Sequence, residues 1–307
     1  MKKRILAVYY SQSGQSREIV KSLLAPLEEC GHVSVTWEPI TPEPDFPFPW
    51  PVDQFMQVFP ESVMGVPCPL RPLSVNSDES FDLVILAWQP WYLSPSLPIQ
   101  SFLKLPEARN LLAGKPVVCI AGCRNMWVKG HEDILKYLKE IDAVPVGCIA
   151  LRDRGPNLVS VITTLRWLIL GKRSDIINIL PPVGVSEKDI KSARKFGTVI
   201  LSALRSGSFN RLQEKLLAFG AVEIFPSLLS MEKTGKRIFK KWAAFILKKG
   251  NYGDTARSTR LSCFKYYLLM VIFFISPIIS FLSVVHGLIR PEAVRLEVER
   301  HLLMKSK

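Results

Sequence analysis

The stretch that most constrains the fold is an apolar run that leads directly into a hydroxyl-rich turn and a helix. Residues 5–10 read Ile-Leu-Ala-Val-Tyr-Tyr, which is typical of a parallel strand buried on both faces. A helical pattern follows over residues 15–30, with its apolar side chains on one face. A helix N-terminus presents backbone N–H groups and a positive dipole, which together bind anions. The turn at residues 11–16 is therefore predicted to be an anion site.

The order of residues in this turn suits a single phosphate. It resembles the phosphate loop of flavodoxins, which holds the phosphate of FMN. The Lys of a Walker loop does not precede Ser16, and the Gly-x-Gly-x-x-Gly fingerprint of dinucleotide sites is absent from the sequence. An ordinary βα turn is the alternative on this loop alone. The predicted phosphate-binding residues are Ser11, Gln12, Ser13, Gly14, Gln15 and Ser16.

Four more apolar runs alternate with helical patterns and predict the remaining strands of one sheet. The runs cover residues 33–37, 81–87, 117–121 and 146–151. Strands that alternate with helices favour right-handed crossovers and a flavodoxin-like five-stranded parallel sheet in the order 2-1-3-4-5. In that α/β topology the ligand lies beyond the carboxyl ends of the strands. We predict that residues 1–207 form this domain, closed by one helix over residues 187–205.

Two more loops would leave the sheet beside the phosphate turn. The loop after strand three is rich in Pro and aromatic residues, and an isoalloxazine ring gains most from aromatic stacking. The loop after strand four reads Gly-Cys-Arg-Asn and would face the pyrimidine edge of a flavin. Together the three loops predict FMN as the cofactor. The predicted flavin-bordering residues are Pro90, Trp91 and Tyr92 from the first of these loops, and Gly122, Cys123, Arg124 and Asn125 from the second.

Two segments depart from a minimal domain of this class. Residues 39–80 are so rich in Pro that no long helix can pass through them, and their aromatic residues predict a packed cover near the site. Residues 152–185 form an insertion after strand five, with a helix-like apolar run at residues 159–170. We expect this insertion on the ligand side of the sheet, where it would shape a pocket or contact a membrane.

The basic charge of the chain is concentrated towards its C-terminus. The net charge is +13, and residues 205–265 hold thirteen Lys or Arg against four Asp or Glu, a net of +9. A nucleic-acid-binding module does not accompany this charge, so we predict no nucleic-acid partner. An anionic membrane surface or an acidic carrier protein fits better.

Residues 208–307 are predicted to be a basic helical region with one membrane-like segment. Residues 266–285 carry no charge and, as a helix, reach the thickness of a hydrocarbon core. A hydrophobic hairpin packed on the domain is the alternative. We predict a location on the cytoplasmic side of the inner membrane, with a cytoplasmic location as the alternative. The six cysteines lack zinc-site spacing, so we expect reduced thiols and no metal, and the N-terminus does not resemble a cleavable signal peptide.

Several motifs together resemble the dialkylresorcinol condensing enzyme family of bacterial pigment and lipid pathways. The matching stretches are residues 10–15, 48–50, 58–62, 89–96, 122–127, 153–154, 156–157, 185–190 and 265–267. The resemblance implies a ketosynthase and an acyl carrier protein as partners, and an alkylated ring diketone or another acyl-derived molecule as substrate. It also implies that the flavodoxin-like member aromatises the ring.

The residues favour aromatisation over condensation. Condensation needs a nucleophilic Cys or equivalent assisted by His, and none of the four His accompanies a Cys in a recognisable elbow. Aromatisation removes two hydrogens from a cyclohexane-1,3-dione, and a flavin accepts them directly. Two alternatives stay open. One is an NAD(P)H- or quinone-linked flavin reductase, and the other is a non-catalytic electron carrier or scaffold for a ketosynthase.

Four residues are candidates for catalysis, each with a structural alternative. Arg124 would stabilise an enolate or the reduced flavin, or form a salt bridge. Trp127 would line the substrate pocket or simply pack. His131 would carry a proton or lie at the surface at the start of a helix. Asp153 would act as an acid or base, or pair with the arginines on either side of it.

Overall fold

The structure, a computed structural model, describes residues 2–173, 182–275, 278–279 and 289–304. Its centre is a parallel sheet with the strand order β2-β1-β3-β4-β5. The strands are β1 (Lys3–Tyr9), β2 (Val33–Pro39), β3 (Leu83–Trp88), β4 (Pro116–Cys123) and β5 (Val144–Arg152). This order confirms the predicted flavodoxin-like fold and places its switch point between β1 and β3.

Helices cover both faces of the sheet, which explains why its central strands are continuous apolar runs. Every residue of β3 is at most 1% exposed. One face packs against α1 (Gln15–Glu29), α8 (Glu187–Ser192), α9 (Arg194–Ser206) and α10 (Leu212–Ala218). The other face packs against α4 (Leu97–Phe102), α5 (Pro106–Leu112) and α6 (Val128–Glu140).

The predicted closing helix over residues 187–205 is two helices, because the chain bends at Ala193. Hydrogen bonds from the N–H of Ala193 to the carbonyl of Ile190, and from Phe196 to Ala193, span only three residues and tighten the turn there. The Ser186 hydroxyl accepts the N–H of Asp189 at 3.1 Å, so Ser186 is the N-cap of α8.

The Pro-rich segment packs on the domain and contains only two short helices. These are α2 (Val52–Gln57) and α3 (Phe59–Met64). Trp50 is 2% exposed, and its ring lies 5.5 Å from that of Phe46 and 5.6 Å from that of Trp91. Aromatic packing therefore fastens the cover to the loop that follows β3. The insertion after β5 contains α7 (Asn157–Leu170), and its residues 174–181 lie outside the described part.

The C-terminal region packs on the domain through helices and buried charges. Its helices are α11 (Pro226–Leu247), a 3₁₀ turn (Thr255–Arg257), α12 (Ser258–Met270), a π-helical turn (Val271–Ile275) and α13 (Pro291–Leu302). Arg257 is fully buried and donates to both carboxylate oxygens of Glu61, at 2.6 and 2.9 Å. Lys236 pairs with Asp133 of α6. The extension is thus tied to both the cover and α6.

The membrane-like segment is described only in part. Of the predicted stretch at 266–285, residues 276–277 and 280–285 lie outside the described part. Within the described ranges one helix, Thr255–Ile275, is long and apolar enough to cross a membrane, judged by its 21 residues and mean hydropathy of 1.3. Only 11% of its apolar window is buried, so this helix does not have the burial of a core helix.

Candidate functional site

A cavity of about 450 Å³ lies at the carboxyl edge of the sheet. The turn after β1, the hairpin after β3 and the loop after β4 form its floor. Their lining residues are Gln12, Ser13, Gln15, Ser16, Gln89, Pro90, Trp91, Tyr92, Leu93, Gly122, Cys123, Arg124 and Met126. The structure thus brings together the three loops that the sequence assigns to a flavin.

The turn after β1 keeps helix N-terminal N–H groups available. Gly14 precedes α1 with φ 88°, a left-handed conformation that glycine adopts without steric cost. The Ser11 hydroxyl accepts the N–H of Arg17 at 3.1 Å and so satisfies one donor of the first helical turn. Ser11 is not among the residues that line the cavity. Within the described ranges, no group accepts the backbone N–H of Gln15 or Ser16. These N–H groups and the helix dipole give the turn the features that suit an anion.

Two glutamine side chains hold other segments against this turn. The Gln15 amide donates to the carbonyl of Val185 at 3.1 Å and accepts the N–H of Val185 at 3.0 Å, which fixes the end of the insertion beside α1. The Gln12 amide donates to the carbonyl of Pro47 at 3.1 Å and so holds the cover. The side chains of Gln12 and Gln15, both predicted to bind phosphate, therefore form hydrogen bonds with the protein backbone. Gln15 can still donate its own backbone N–H to an anion.

The hairpin after β3 forms a rigid aromatic wall. Its two central residues, Tyr92 and Leu93, have φ of 49° and 62°, as a type I′ turn requires. Bulky residues rarely adopt such angles, and here packing holds them. The Tyr92 hydroxyl donates to the carbonyl of Phe55 at 2.6 Å, and its ring lies 5.0 Å from those of Phe55 and Phe59. Trp88, the last residue of β3 before this hairpin, is fully buried.

The loop after β4 brings a cation to the cavity. The guanidinium of Arg124 donates to the Ser160 hydroxyl at 3.1 Å. Burial lowers the pKa of Arg124 to about 10, with Asp153 opposing the shift, so Arg124 is charged at neutral pH. Burial raises the pKa of the Cys123 thiol, which therefore stays protonated. Cys123 lines the cavity as a small apolar group rather than a nucleophile.

Three of the predicted site residues are not among those that line the cavity. They are Asn125, Trp127 and His131. Trp127 is 2% exposed and packs in the core 5.7 Å from the ring of His131, so the prediction that it lines the pocket is not met. His131 is also buried rather than at the surface, because it lies on the inner face of α6. Asn125 is similarly buried, at 9% exposure.

Asp153 organises the backbone rather than pairing with its neighbours. Its carboxylate accepts the N–H of Gly155 at 2.7 Å and that of Gly184 at 3.0 Å. Neither flanking arginine forms a salt bridge with it. Arg152 pairs with Glu223 at 2.6 Å and Arg154 with Asp189 at 2.8 Å. The predicted Arg–Asp–Arg cluster is therefore absent among the described residues, and Asp153 fixes the loop that leads into the insertion.

A pH experiment tests whether His131 is buried in the folded protein. Burial lowers the pKa of His131 to about 4, so between pH 4 and the ordinary value of 6.5 the unfolded chain binds more protons than the folded chain. Stability should therefore fall as the pH drops through that window. We expect His131→Asn to lose less stability than the wild type between pH 7 and pH 5 in denaturant titrations. An equal loss in both proteins would contradict this placement.

The roof of the cavity is apolar and comes from elements outside the minimal domain. The cover contributes Trp50 and Phe55, as expected. The insertion, also expected to shape a pocket, contributes α7, and the C-terminal region contributes α11 and α12 with the turn that follows. The apolar roof residues of these helices are Val161, Trp167, Leu168, Met231, Ile238, Phe239, Leu268, Val271, Ile272 and Ile275, and Ile279 adds to them. The sequence does not predict that α11 lines the cavity, because its apolar face is equally typical of a helix that packs on a domain.

The strand order and the cavity at its switch point define a flavodoxin-like α/β protein. Among solved structures, the chain is similar to a flavodoxin from the domain Archaea, with 13% identity, 66% of this chain and 99% of that chain covered, and a TM-score of 0.37. It is also similar to a flavoprotein in complex with FMN from Lactobacillus acidophilus (13% identity, 50% and 93% covered, TM-score 0.35). An oxidised flavodoxin 1 from Bacillus cereus gives 15% identity, 64% and 95% coverage, and a TM-score of 0.33.

At TM-scores this low, the similarities carry no information on ligand or activity, and the fold rests on the strand order itself. No protein-family model matches the sequence, and no curated protein matches it. The resemblance to the dialkylresorcinol condensing enzymes therefore stays a prediction.

Proposed function

We propose that this protein is an FMN-dependent oxidoreductase that aromatises an alkylated ring diketone. One observation carries the proposal: a single cavity joins a helix N-terminus, an aromatic wall and a half-buried cation beneath an apolar roof. The first two features suit a flavin mononucleotide. The last two suit a substrate that combines an acidic ring with alkyl chains.

The residues present fit FMN. An added Cβ at Gly14 would meet nothing within 4 Å, so the turn is open beside the N–H groups of Gln15 and Ser16. This turn would hold the phosphate, with the Ser13 hydroxyl as a further donor. Trp91 and Tyr92 would border the ring system. One anion site and no dinucleotide fingerprint favour FMN over FAD.

The reaction removes two hydrogens from a 2,5-dialkylcyclohexane-1,3-dione and yields a 2,5-dialkylresorcinol. When bound, FMN supplies the acceptor for two electrons and one proton, and the second hydrogen leaves as the proton that the acidic diketone releases to water when it forms its enolate. Turnover requires an external electron acceptor to reoxidise the flavin. The protein provides the remaining parts. Arg124 stabilises the enolate that the acidic diketone forms. The roof helices exclude water and hold the alkyl chains.

The apolar roof favours an enzyme over the two alternatives. An electron carrier needs an accessible flavin edge, whereas here α7, α11 and α12 cover the cavity. An NAD(P)H-linked reductase would need a polar site for its second nucleotide, whereas the described roof residues that line the cavity are mostly apolar. A ketosynthase, an acyl carrier protein and a place at the cytoplasmic face of the inner membrane belong to the same proposal. They rest on the family resemblance and on the exposed apolar helix Thr255–Ile275.

Anaerobic mixing of the FMN-loaded protein with the diketone tests the proposed reaction. The flavin absorbance should bleach, and an equimolar amount of dialkylresorcinol should appear. Arg124→Gln should slow the bleaching by about 10²–10³-fold, the range for loss of one oxyanion-stabilising donor, while FMN affinity changes less.

Arg154→Gln is the matched control, since Arg154 is 69% exposed and is not among the cavity-lining residues. It should leave the rate unchanged. Bleaching by NADH or NADPH but not by the diketone would favour the reductase alternative.

A further inference from the structure

The helices of the roof are apolar on their outer side as well as towards the cavity. In α12 and the turn that follows, Leu268, Ile272 and Ile275 line the cavity. Other large apolar side chains of the same stretch face outwards, with exposures of 66% for Tyr266, 42% for Met270, 43% for Phe273 and 71% for Phe274. Helices of a globular domain normally expose a polar face, so this surface needs a partner.

Helix α7 shows the same two-sided character. Val161 and Trp167 line the cavity, while Ile162 and Leu170 are 44% and 56% exposed. We call the outer sides of α7, α12 and the π-helical turn the roof surface. Two separate segments of the chain therefore expose apolar groups above one cavity, which chance exposure of single residues does not explain.

Cations accompany the roof surface. The ammonium of Lys265 in α12 lies 5.2 Å from the ring centroid of the exposed Tyr266. Lys240 and Lys241 in α11, and Lys248 and Lys249 just after it, are exposed as well. Residues 205–265 carry a net charge of +9. A second copy of the chain would bring this positive charge against itself, whereas an anionic lipid headgroup would neutralise it. Apolar side chains accompanied by lysines are the pattern of interfacial membrane binding.

We infer that the roof surface docks on an anionic lipid bilayer. Exposed aromatic and aliphatic side chains of α12 and α7 enter the boundary of headgroups and acyl chains, and the lysines of α11 contact the headgroups. Because the same helices form the wall of the cavity, docking places the outer side of that wall against the acyl chains. The inference rests on the membrane location in the proposed function and assigns the surface that makes the contact, while its test does not depend on flavin chemistry.

Vesicle flotation of the full chain tests the inference. We expect binding to vesicles of equal parts phosphatidylcholine and phosphatidylglycerol, and much weaker binding to phosphatidylcholine alone. The double variant Phe273→Ser/Phe274→Ser should bind the anionic vesicles at least about tenfold more weakly, because burial of each Phe contributes apolar transfer free energy. Lys240→Gln/Lys241→Gln should weaken binding to the anionic vesicles only.

Phe219→Ser is the matched control. Phe219 is 52% exposed at the end of α10, and that helix is not part of the cavity lining. Its substitution should leave vesicle binding unchanged, and circular dichroism should show that every variant is folded. Three results would each overturn the inference. They are no binding by the folded wild type, equal binding by the Phe273→Ser/Phe274→Ser variant, and a wild-type dimer that this variant dissociates without any vesicle binding.

Discussion

Arg257→Met is expected to lower the free energy of unfolding by about 3–5 kcal/mol, the range for breaking a buried ion pair. Arg257 is fully buried, and Glu61, its partner through two hydrogen bonds, has only 6% of its side chain exposed. Removal of the guanidinium leaves an uncompensated carboxylate in the interior. The pair joins the C-terminal region to the cover, so FMN affinity should fall together with stability.

Two comparison variants show whether the loss comes from the unpaired carboxylate. The double variant Arg257→Met/Glu61→Leu should regain much of the lost stability, because neither charge remains buried. Arg154→Met removes the partner of Asp189, in a pair whose Arg154 side chain is 69% exposed, and should cost less than about 1 kcal/mol. Urea titrations measure all three. If Arg257→Met costs no more than Arg154→Met, the proposed anchor is wrong.

Ser13→Asp is expected to abolish FMN binding, or to weaken it by at least about a hundredfold. The new carboxylate would stand in the phosphate turn, where like charges repel and water is partly excluded. Ser13 lines the cavity, so the substitution changes the site itself. Titration of the apoprotein with FMN, followed by the loss of flavin fluorescence, measures the effect.

Ser13→Asn is the matched control, because Asn has nearly the size of Asp without its charge. It should bind FMN far more tightly than the Asp variant. Equal affinity of the two variants would show that no phosphate lies beside residue 13.

The sheet and the three loops could be predicted because their signals are local. Continuous apolar runs identify buried strands, and the alternation with helices limits the topology to very few arrangements. The hydroxyl-rich turn before Gln15 carries its own chemistry. These local patterns are sufficient to predict that Ser13, Trp91 and Arg124 surround one cavity, and all three line it.

The roles of Trp127 and His131 could not be predicted, because burial depends on contacts between distant segments. At the start of α6, a tryptophan and a histidine have no local pattern that separates a core position from a site position. The tie between Gln15 and Val185 spans 170 residues, and the pair of Arg257 with Glu61 spans 196. Neither link has a signature in the sequence around either partner.

The apolar roof of the cavity could be predicted only in part from the sequence. The apolar run at residues 159–170 and the membrane-like segment at 266–285 were both visible in the sequence. That they meet α11 above the cavity follows only from the packed structure. A sequence pattern that is apolar on opposite sides of a helix is typical of a membrane span or a core helix. The pattern alone does not show that one of these sides lines a cavity.

The central claim is that this cavity binds flavin mononucleotide. The most direct test of it is the cofactor content of the purified full-length protein. Acid denaturation should release a yellow compound that co-migrates with FMN in chromatography and is equimolar with the chain. Apoprotein should regain the visible flavin spectrum when FMN is added, and the Ser13→Asp variant should not. A colourless protein that does not bind added FMN, or one that releases FAD instead, would contradict the account.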